Sequence, residues 1–373
     1  MTGARRIASV DALRGFDMFW IIGGDFLVRY LYEWSAHPLL GALSRQLTHA
    51  TWIGVHAYDL IFPLFIFLAG VSLGLSFRRK AATASGPALI RRAARRAAIL
   101  AALGVLYNWG WSVDLQTVRF ASVLGLIGGA YFLGVVVMAL SDRLAVWLAA
   151  IAGVLLLVSG AQLLIPTPGS GAGVLTPDGA VNGWIDRLFL PGRLYGGDYD
   201  PEGLLGVFSA SSIALAGMVA GRYMADGGDA RTDRLLRLAI AGVALIALGS
   251  ALAPVYPPIK KLWTATFDII AIGWCLMALA AFSAVFDRGG DGIAGTAGGT
   301  TGGTTGAALV LVVIGANSIL IYMAARYVAY PVFAFADGQA WSAGAKAGAA
   351  ALVIAVEWAV LYALYRRRLF LRV

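Results

Sequence analysis

Residues 121–164 read ASVLGLIGGAYFLGVVVMALSDRLAVWLAAIAGVLLLVSGAQLL. Two apolar runs, each about twenty residues long, flank a short polar break at Ser141–Arg143. Neither run alternates polar and apolar positions, so neither suits a strand of a membrane barrel. A helix of about twenty apolar residues crosses the roughly 30 Å of a bilayer's hydrocarbon core. Inside that core the backbone must satisfy its own hydrogen bonds, which a helix does. The rest of the chain repeats the pattern. Of its 373 residues, 60% are hydrophobic and 13% charged. That proportion exceeds what a soluble monomer could cover. The sequence predicts an all-α polytopic membrane helix bundle with about ten transmembrane helices. They fall at 14–34, 55–77, 97–113, 121–141, 143–164, 203–224, 237–254, 264–286, 307–328 and 345–365.

The charges give an orientation. With a cytoplasmic N-terminus, twenty of the 29 Lys and Arg residues fall on the inner side, which satisfies the positive-inside rule. An even number of crossings puts both termini in the cytoplasm and suits the inner membrane of a cell. The net charge of +9 is then a topology signal spread over inner loops, a poor match to a nucleic-acid surface. Arg5 and Arg6 precede an apolar run that no small-residue cleavage site closes, so the run reads as a retained first helix. The chain 1–373 reads as a single transmembrane domain. Residues 165–202, rich in Pro, Gly and Asp, form an outer loop, and 287–306 (DRGGDGIAGTAGGTTGGTTG) a flexible inner linker. No internal repeat stands out, which disfavours a duplicated transporter. Cys275, the single cysteine, excludes an intrachain disulfide and a thiolate metal cluster and reads as packing.

Polar groups in or beside lipid are costly, and each invites a function. Asp11 and Arg14 in SVDALRG share one helix face at i, i+3, as a local ion pair or as a contact for an anionic ligand. Asp25 sits near the outer end of the first helix, after Gly23 and Gly24, as a polar end facing water or as a carboxylate that orients or relays protons for a nearby base. His49 lies in LTHATWIGVHAYDLIFPLFIF, where an imidazole can give and take protons near neutral pH. The spacing of His37, His49 and His56 matches no metal pattern, so no metal is expected. Asp59, four residues before Pro63, caps the backbone groups the proline frees or lines a cavity. Asp198, Asp200 and Glu202 in GGDYDPEGLLG precede a helix, as caps or as a binding site for an amine. Lys260 in PPIKKLWTATF lies on the outer side, against the charge rule, snorkelling to lipid phosphates or serving a site. Asn317 and Ser318 in GANSILIY sit inside an apolar run, bonding between helices or serving chemistry.

Five blocks, in order, together resemble one family. They are RRIASVDALRGFDMFWIIGGD (5–25), HATWIGVHAYDLIFPLFIFLAG (49–70), YDPEGLLG (199–206), IKKLWTATF (259–267) and GANSILIYM (315–323). They look like the heparan-α-glucosaminide N-acetyltransferase family and its bacterial relatives, part of a broader transmembrane acyltransferase group. The resemblance implies a membrane enzyme that moves an acetyl group from cytoplasmic acetyl-CoA to an amino sugar or glycan at the outer face. It puts His49 at the family's catalytic histidine, as a base or a transient acetyl carrier, with Asp25 and Asp59 as its catalytic companions. Asp11, Arg14, Lys260, Trp263, Asn317 and Ser318 become candidates for holding acetyl-CoA, and Asp200 and Glu202 for the acceptor. A homodimer is also implied. Two positions depart from the pattern. Asp25 stands where the family commonly has a functional Asn, and Leu126 where it often has Arg. An ionised Asp25 could fix the tautomer of His49 but could not donate a hydrogen bond. A secondary transporter of a small sugar or amino sugar is the competing reading, and a non-catalytic scaffold a third.

Overall fold

The structure is a computed structural model that describes residues 8–77, 85–109, 117–226, 230–287 and 306–371. Among these residues there is no β-strand, and helices dominate. The expected linker lies outside the described residues, except for its two ends at Asp287 and Gly306. Among the described residues, eight helices are long and apolar enough to cross a membrane. They are Ala57–Leu75, Val123–Leu140, Leu144–Leu164, Leu204–Ala225, Arg231–Leu252, Ala265–Phe286, Ser318–Gly338 and Ala343–Arg366. Leu156, Leu157, Leu236, Ile240 and Val243 stand exposed on two of them, and lipid is the solvent in which such rows are stable. The protein is a polytopic helical membrane protein.

The chain divides into two compact units. One gathers Met1–His49, His56–Ile61 and Ala278–Arg372; the other holds Ala50–Val55 and Phe62–Met277.

In the first unit the expected opening span is jointed. Helix α1 (Ala8–Phe19) runs into a single wide π-turn (Trp20–Gly24) and resumes as α2 (Asp25–Ser35). The joint is Gly23, at φ 128°, where an added Cβ would also stand 2.7 Å from the ring of Phe333. Only glycine takes that conformation cheaply. Such π-turns gather at functional sites, and this one delivers Asp25 as the first residue of α2. A short helix α3 (Pro38–Gln46) follows, opened by Pro38 and by the His37 side chain, which accepts from the Leu39 N–H at 3.3 Å.

In the second unit, α4 (Ile61–Leu75) meets a later helix through glycines on both sides. Cβ atoms at Gly70 and Gly74 would overlap the carbonyl oxygens of Ala214 and Met218. Cβ atoms at Gly217 and Gly221 would overlap those of Phe67 and Val71. Small residues four apart on both helices let the backbones touch, which is how helices associate where apolar burial gives no advantage over lipid. Helix α5 (Gly86–Trp109) packs along α6 (Val123–Leu140). Its first half carries Arg91, Arg92, Arg95 and Arg96, so only its second half matches the expected 97–113 span. Helix α7 (Leu144–Leu164) and α6 both pack on α9 (Leu204–Ala225), the most buried of the spans. The expected outer loop contains a helix of its own, α8 (Val181–Phe189). Helices α10 (Arg231–Leu252) and α11 (Ala265–Phe286) follow.

The expected 307–328 span is interrupted. It forms α12 (Ala307–Ala316) and α13 (Ser318–Tyr327), broken at Asn317, which sits at φ −128°, ψ 39°. The amide of Asn317 donates to the Leu369 carbonyl at 3.0 Å and accepts from the Leu371 N–H at 2.9 Å. These bonds tie the break to the chain's last described residues. Helices α14 (Ala329–Gly338) and α15 (Ala343–Arg366) complete the unit, and α15 packs along α2.

Candidate active site

The chemistry-bearing cluster of the first unit is built on a 3₁₀ turn, Ala57–Leu60. Its entry is fixed by local bonds. The Asp59 N–H donates to the His56 carbonyl at 3.0 Å, and the His56 N–H donates back to Asp59 Oδ2 at 3.0 Å. The Ala57 N–H donates to Gln46 Oε1 at 3.1 Å, and His56 Nδ1 to the Thr48 carbonyl at 2.9 Å. The turn is therefore tied to the segment that carries His49, across the Gly54 region of the sequence.

The consequence is a His–carboxylate pair. His49 Nδ1 lies 2.7 Å from Asp59 Oδ1. The Asp59 side chain is 1% exposed and that of His49 is 42% exposed. A buried carboxylate behind a half-open imidazole assigns the ring proton to Nδ1, the nitrogen that faces it. The companion of His49 in the structure is thus Asp59, ten residues away. Asp25 takes a different place. Its Oδ1 accepts from the Phe26 N–H at 2.8 Å and its Oδ2 from the Tyr58 hydroxyl at 3.0 Å. The ring of Tyr58 lies 4.8 Å from that of His49, tilted by 59°.

The donor-site candidates of this unit have structural partners. Arg14 Nη1 is 3.4 Å from Asp11 Oδ1, the i, i+3 pair expected from the sequence. Asp11 Oδ2 is buried without a hydrogen-bond partner. A Cβ at Gly315 would overlap the Asp11 carbonyl, so this end of α1 packs directly on α12, just before Asn317. Asn317 spends its amide on Leu369 and Leu371 as described, and Ser318 opens α13.

The second unit assembles another group. Arg119 donates through Nε to Asp200 Oδ2 at 2.6 Å and through Nη2 to Asp200 Oδ1 at 2.5 Å, a bidentate fork, and it also binds Glu202. Asp200 in turn accepts from the backbone N–H groups of Tyr195 and Glu202, both at 3.0 Å. Burial alone would weaken the charge of Arg119, but the two carboxylates outweigh it and raise its pKa. Burial pushes Glu202 above the ordinary glutamate range, with the charges of Arg119 and Lys260 opposing. Asp200 and Glu202 are therefore held against a cation of the protein itself, and neither caps the following helix. That cap is Asp186, whose Oδ1 accepts from the Leu204 N–H at 2.9 Å. Burial lifts the Asp186 carboxyl to about 6 and the charge of Asp200 adds to the rise, against the pull of the Leu204 N–H.

Lys260 and Trp263 sit on a second 3₁₀ turn, Lys260–Leu262, locked from several sides. Trp263 takes a left-handed backbone at φ 48° and donates its indole N–H to the Pro201 carbonyl at 2.6 Å. That bond ties it to the loop between Asp200 and Glu202. Gln162 and Asn182 both donate to the Leu262 carbonyl, at 2.8 and 3.0 Å. Ser209 reaches the Trp263 carbonyl at 2.8 Å and the fully buried Asp268 at 2.7 Å. Lys260 is buried, its ammonium 5.1 Å from the ring of Phe62. Among the described residues, no three His, Cys, Asp or Glu side chains gather as metal ligands.

The structure thus joins His49, Asp59 and, through Tyr58, Asp25 in one unit. In the other it joins Asp200, Glu202, Lys260 and Trp263. Sequence reasoning overlooked Tyr58, Arg119, Asp186, Ser209 and Asp268. Two of these carried a signal: Arg119 as a cation on the expected outer side, and Asp268 as a carboxylate inside the expected 264–286 span.

Residues 6–257 match the family model described as heparan-alpha-glucosaminide N-acetyltransferase, catalytic. The chain belongs to this family. It is 26% identical over 342 residues to the heparan-alpha-glucosaminide N-acetyltransferase of Homo sapiens, covering 76% of this chain and 49% of that protein. Against the Mus musculus protein of the same name it is 26% identical over 327 residues, covering 71% of this chain and 47% of that protein. The chain therefore spans about half the length of these curated relatives. The family match takes in His49, Asp59, Asp25, Arg119, Asp200 and Glu202, and it stops just before Lys260 and Trp263.

Proposed function

We propose that this protein is a membrane acetyltransferase that moves the acetyl group of acetyl-CoA to the amine of an amino sugar or glycan. One observation carries the reading within the family: His49 Nδ1 is held at 2.7 Å by buried Asp59 on a side chain that is 42% exposed. In the proposed reaction the acceptor nitrogen attacks the thioester carbon. The C–S bond breaks, CoA leaves as its thiolate, and the proton lost from nitrogen passes to His49 Nε2. The imidazolium so formed is stabilised by Asp59, which keeps the ring in place through the step. We assign the donor phosphates to Arg14, whose side chain is a quarter exposed, because a guanidinium matches phosphate geometry.

The orientation proposed with this reaction is that of the charge distribution, with cytoplasmic termini, an inner-membrane location and His49 towards the outer face. It requires one crossing before residue 49. The α1–α2 segment, Ala8–Ser35, counts 28 residues, or about 42 Å at 1.5 Å per residue, which is long enough despite its joint.

The deciding experiment supplies radiolabelled acetyl-CoA and a panel of amino sugars to the purified full chain, wild type beside His49→Ala. Labelled N-acetyl product from the wild type alone supports the proposal. Equal product from both removes His49 from the chemistry, and no product with any acceptor refutes the activity. Label held on the protein without acceptor, and lost in His49→Ala, would replace the base role with an acetyl carrier.

A further inference from the structure

Asp25 carries a carboxylate to the neighbourhood of the His49–Asp59 pair, and the structure shows what this chain does with it. Its Oδ2 accepts a hydrogen bond from the Tyr58 hydroxyl at 3.0 Å. The same tyrosine presents its ring to His49 at 4.8 Å and 59°, a tilted aromatic contact. Tyr58 sits on the 3₁₀ turn between the His56 cap and Asp59, so its backbone is held by the bonds that aim Asp59 at His49. One side chain therefore meets the imidazole with its ring and the carboxylate with its hydroxyl. Asp25 in turn is placed by the Gly23 joint and pinned by the Phe26 N–H.

We infer that Tyr58 is a positioning residue of the proposed acetyl transfer, fixing the plane of the His49 ring and coupling it to Asp25 beside the acceptor amine. The inference rests on the proposed function. A carboxylate held there attracts an ammonium, the resting form of an amino sugar's nitrogen, whereas an amide does not carry that charge. The tyrosine hydroxyl supplies the hydrogen-bond donor that keeps the carboxylate turned in one direction, and its ring stops the imidazole from swinging off Asp59. Both effects need the phenol, and they are separable by removing the hydroxyl or the ring.

The test uses the purified full chain with radiolabelled acetyl-CoA and glucosamine. Tyr58→Phe, Asp25→Asn and the double variant form a cycle. Tyr58→Phe and Asp25→Asn are each expected to raise the KM for glucosamine about 10-fold with kcat within about 3-fold. The double variant is expected to match the weaker single, a coupling of about 10-fold between touching groups. Tyr58→Leu, which lacks the ring, is expected to lower kcat about 10-fold as well. Effects that multiply in the double variant, or a Tyr58→Phe indistinguishable from wild type, overturn the coupling. A second readout does not need turnover. Modification of His49 by diethyl pyrocarbonate, mapped by mass spectrometry with His37 and His56 as internal references, should speed up about 3-fold or more in Tyr58→Leu and stay unchanged in Tyr58→Phe. Equal rates in all three proteins overturn the ring contact. Absence of turnover in the wild type, with this modification pattern intact, refutes the acetyltransferase reading and leaves the geometry standing.

Discussion

Replacing Asp59 by Asn isolates what the His49–Asp59 pair does. The two carboxylate oxygens have different partners, and that decides which way an amide would sit. Oδ2 accepts from the His56 N–H at 3.0 Å, so an amide must keep its oxygen there. Its NH₂ group then faces His49 Nδ1, now 2.7 Å away. A donor facing Nδ1 forces Nδ1 to accept, and the ring proton moves to Nε2. The reactive nitrogen then has no lone pair to offer. The same logic in a serine-protease triad costs about 10⁴-fold in kcat, and a loss of about 10³–10⁴-fold is expected here. At 1.36 kcal/mol per decade that is about 4–5.5 kcal/mol of transition-state stabilisation. The fold should hardly notice. One charge-assisted bond is exchanged for a neutral one, a change of about 1 kcal/mol, and the His56 cap survives. Initial rates of acetyl transfer and a thermal unfolding curve in the same detergent separate the two effects. A variant that keeps a third or more of the wild-type kcat refutes the tautomer argument. A variant that loses its rate only because it melts below the assay temperature refutes the claim that the fold is spared.

Three further outcomes follow from the second unit and its packing. Arg119→Met strands Asp200 and Glu202, whose side chains are 0% and 9% exposed, and should cost about 3–5 kcal/mol of stability, read as a large drop in melting temperature. Arg119→Lys should recover little of it, because an ammonium cannot fork to both carboxylates. Gly217→Ala drives a methyl group into the Phe67 carbonyl and should cost about 1–3 kcal/mol, whereas the same change at Gly153, which has open space around it, should be close to neutral in the same melt. Asp186 sets a pH dependence. Its folded pKa of about 6 lies above the unfolded value near 3.8, so the folded state holds the extra proton between those limits. Stability from this group is therefore full below about pH 4 and falls as pH rises through 6, by about 3 kcal/mol in all. Asp186→Asn keeps the oxygen that accepts from Leu204 and should flatten that slope in melts taken from pH 4 to 8.

Much of the architecture was readable along the chain. The runs at 121–141 and 143–164 became helices Val123–Leu140 and Leu144–Leu164 almost residue for residue. Where the runs carried polar residues the reading was coarser. A continuous first helix hid the joint at Gly23, because a glycine pair in an apolar run has no signature of the side chain it must avoid. The 307–328 helix hid the break at Asn317, whose partners lie more than fifty residues later. His49 and Asp59 were both singled out as separate polar oddities, but nothing in their spacing showed that a 3₁₀ turn would bring them together. The acidic cluster at 198–202 suggested a helix cap, while the acceptor for Leu204 came from Asp186, eighteen residues earlier.

The division has a physical cause. Transfer of a helix into lipid is a sum over its own side chains and its own backbone hydrogen bonds, so the sequence by itself determined that this chain crosses a membrane many times as helices. Ion pairs and hydrogen bonds depend on distances of about 3 Å between groups that the sequence separates freely. Only the tertiary structure decided that Arg119 would be spent on Asp200 and Glu202, that Asn317 would hold Leu369 and Leu371, and that Asp59 would stand behind His49 while Tyr58 faced Asp25.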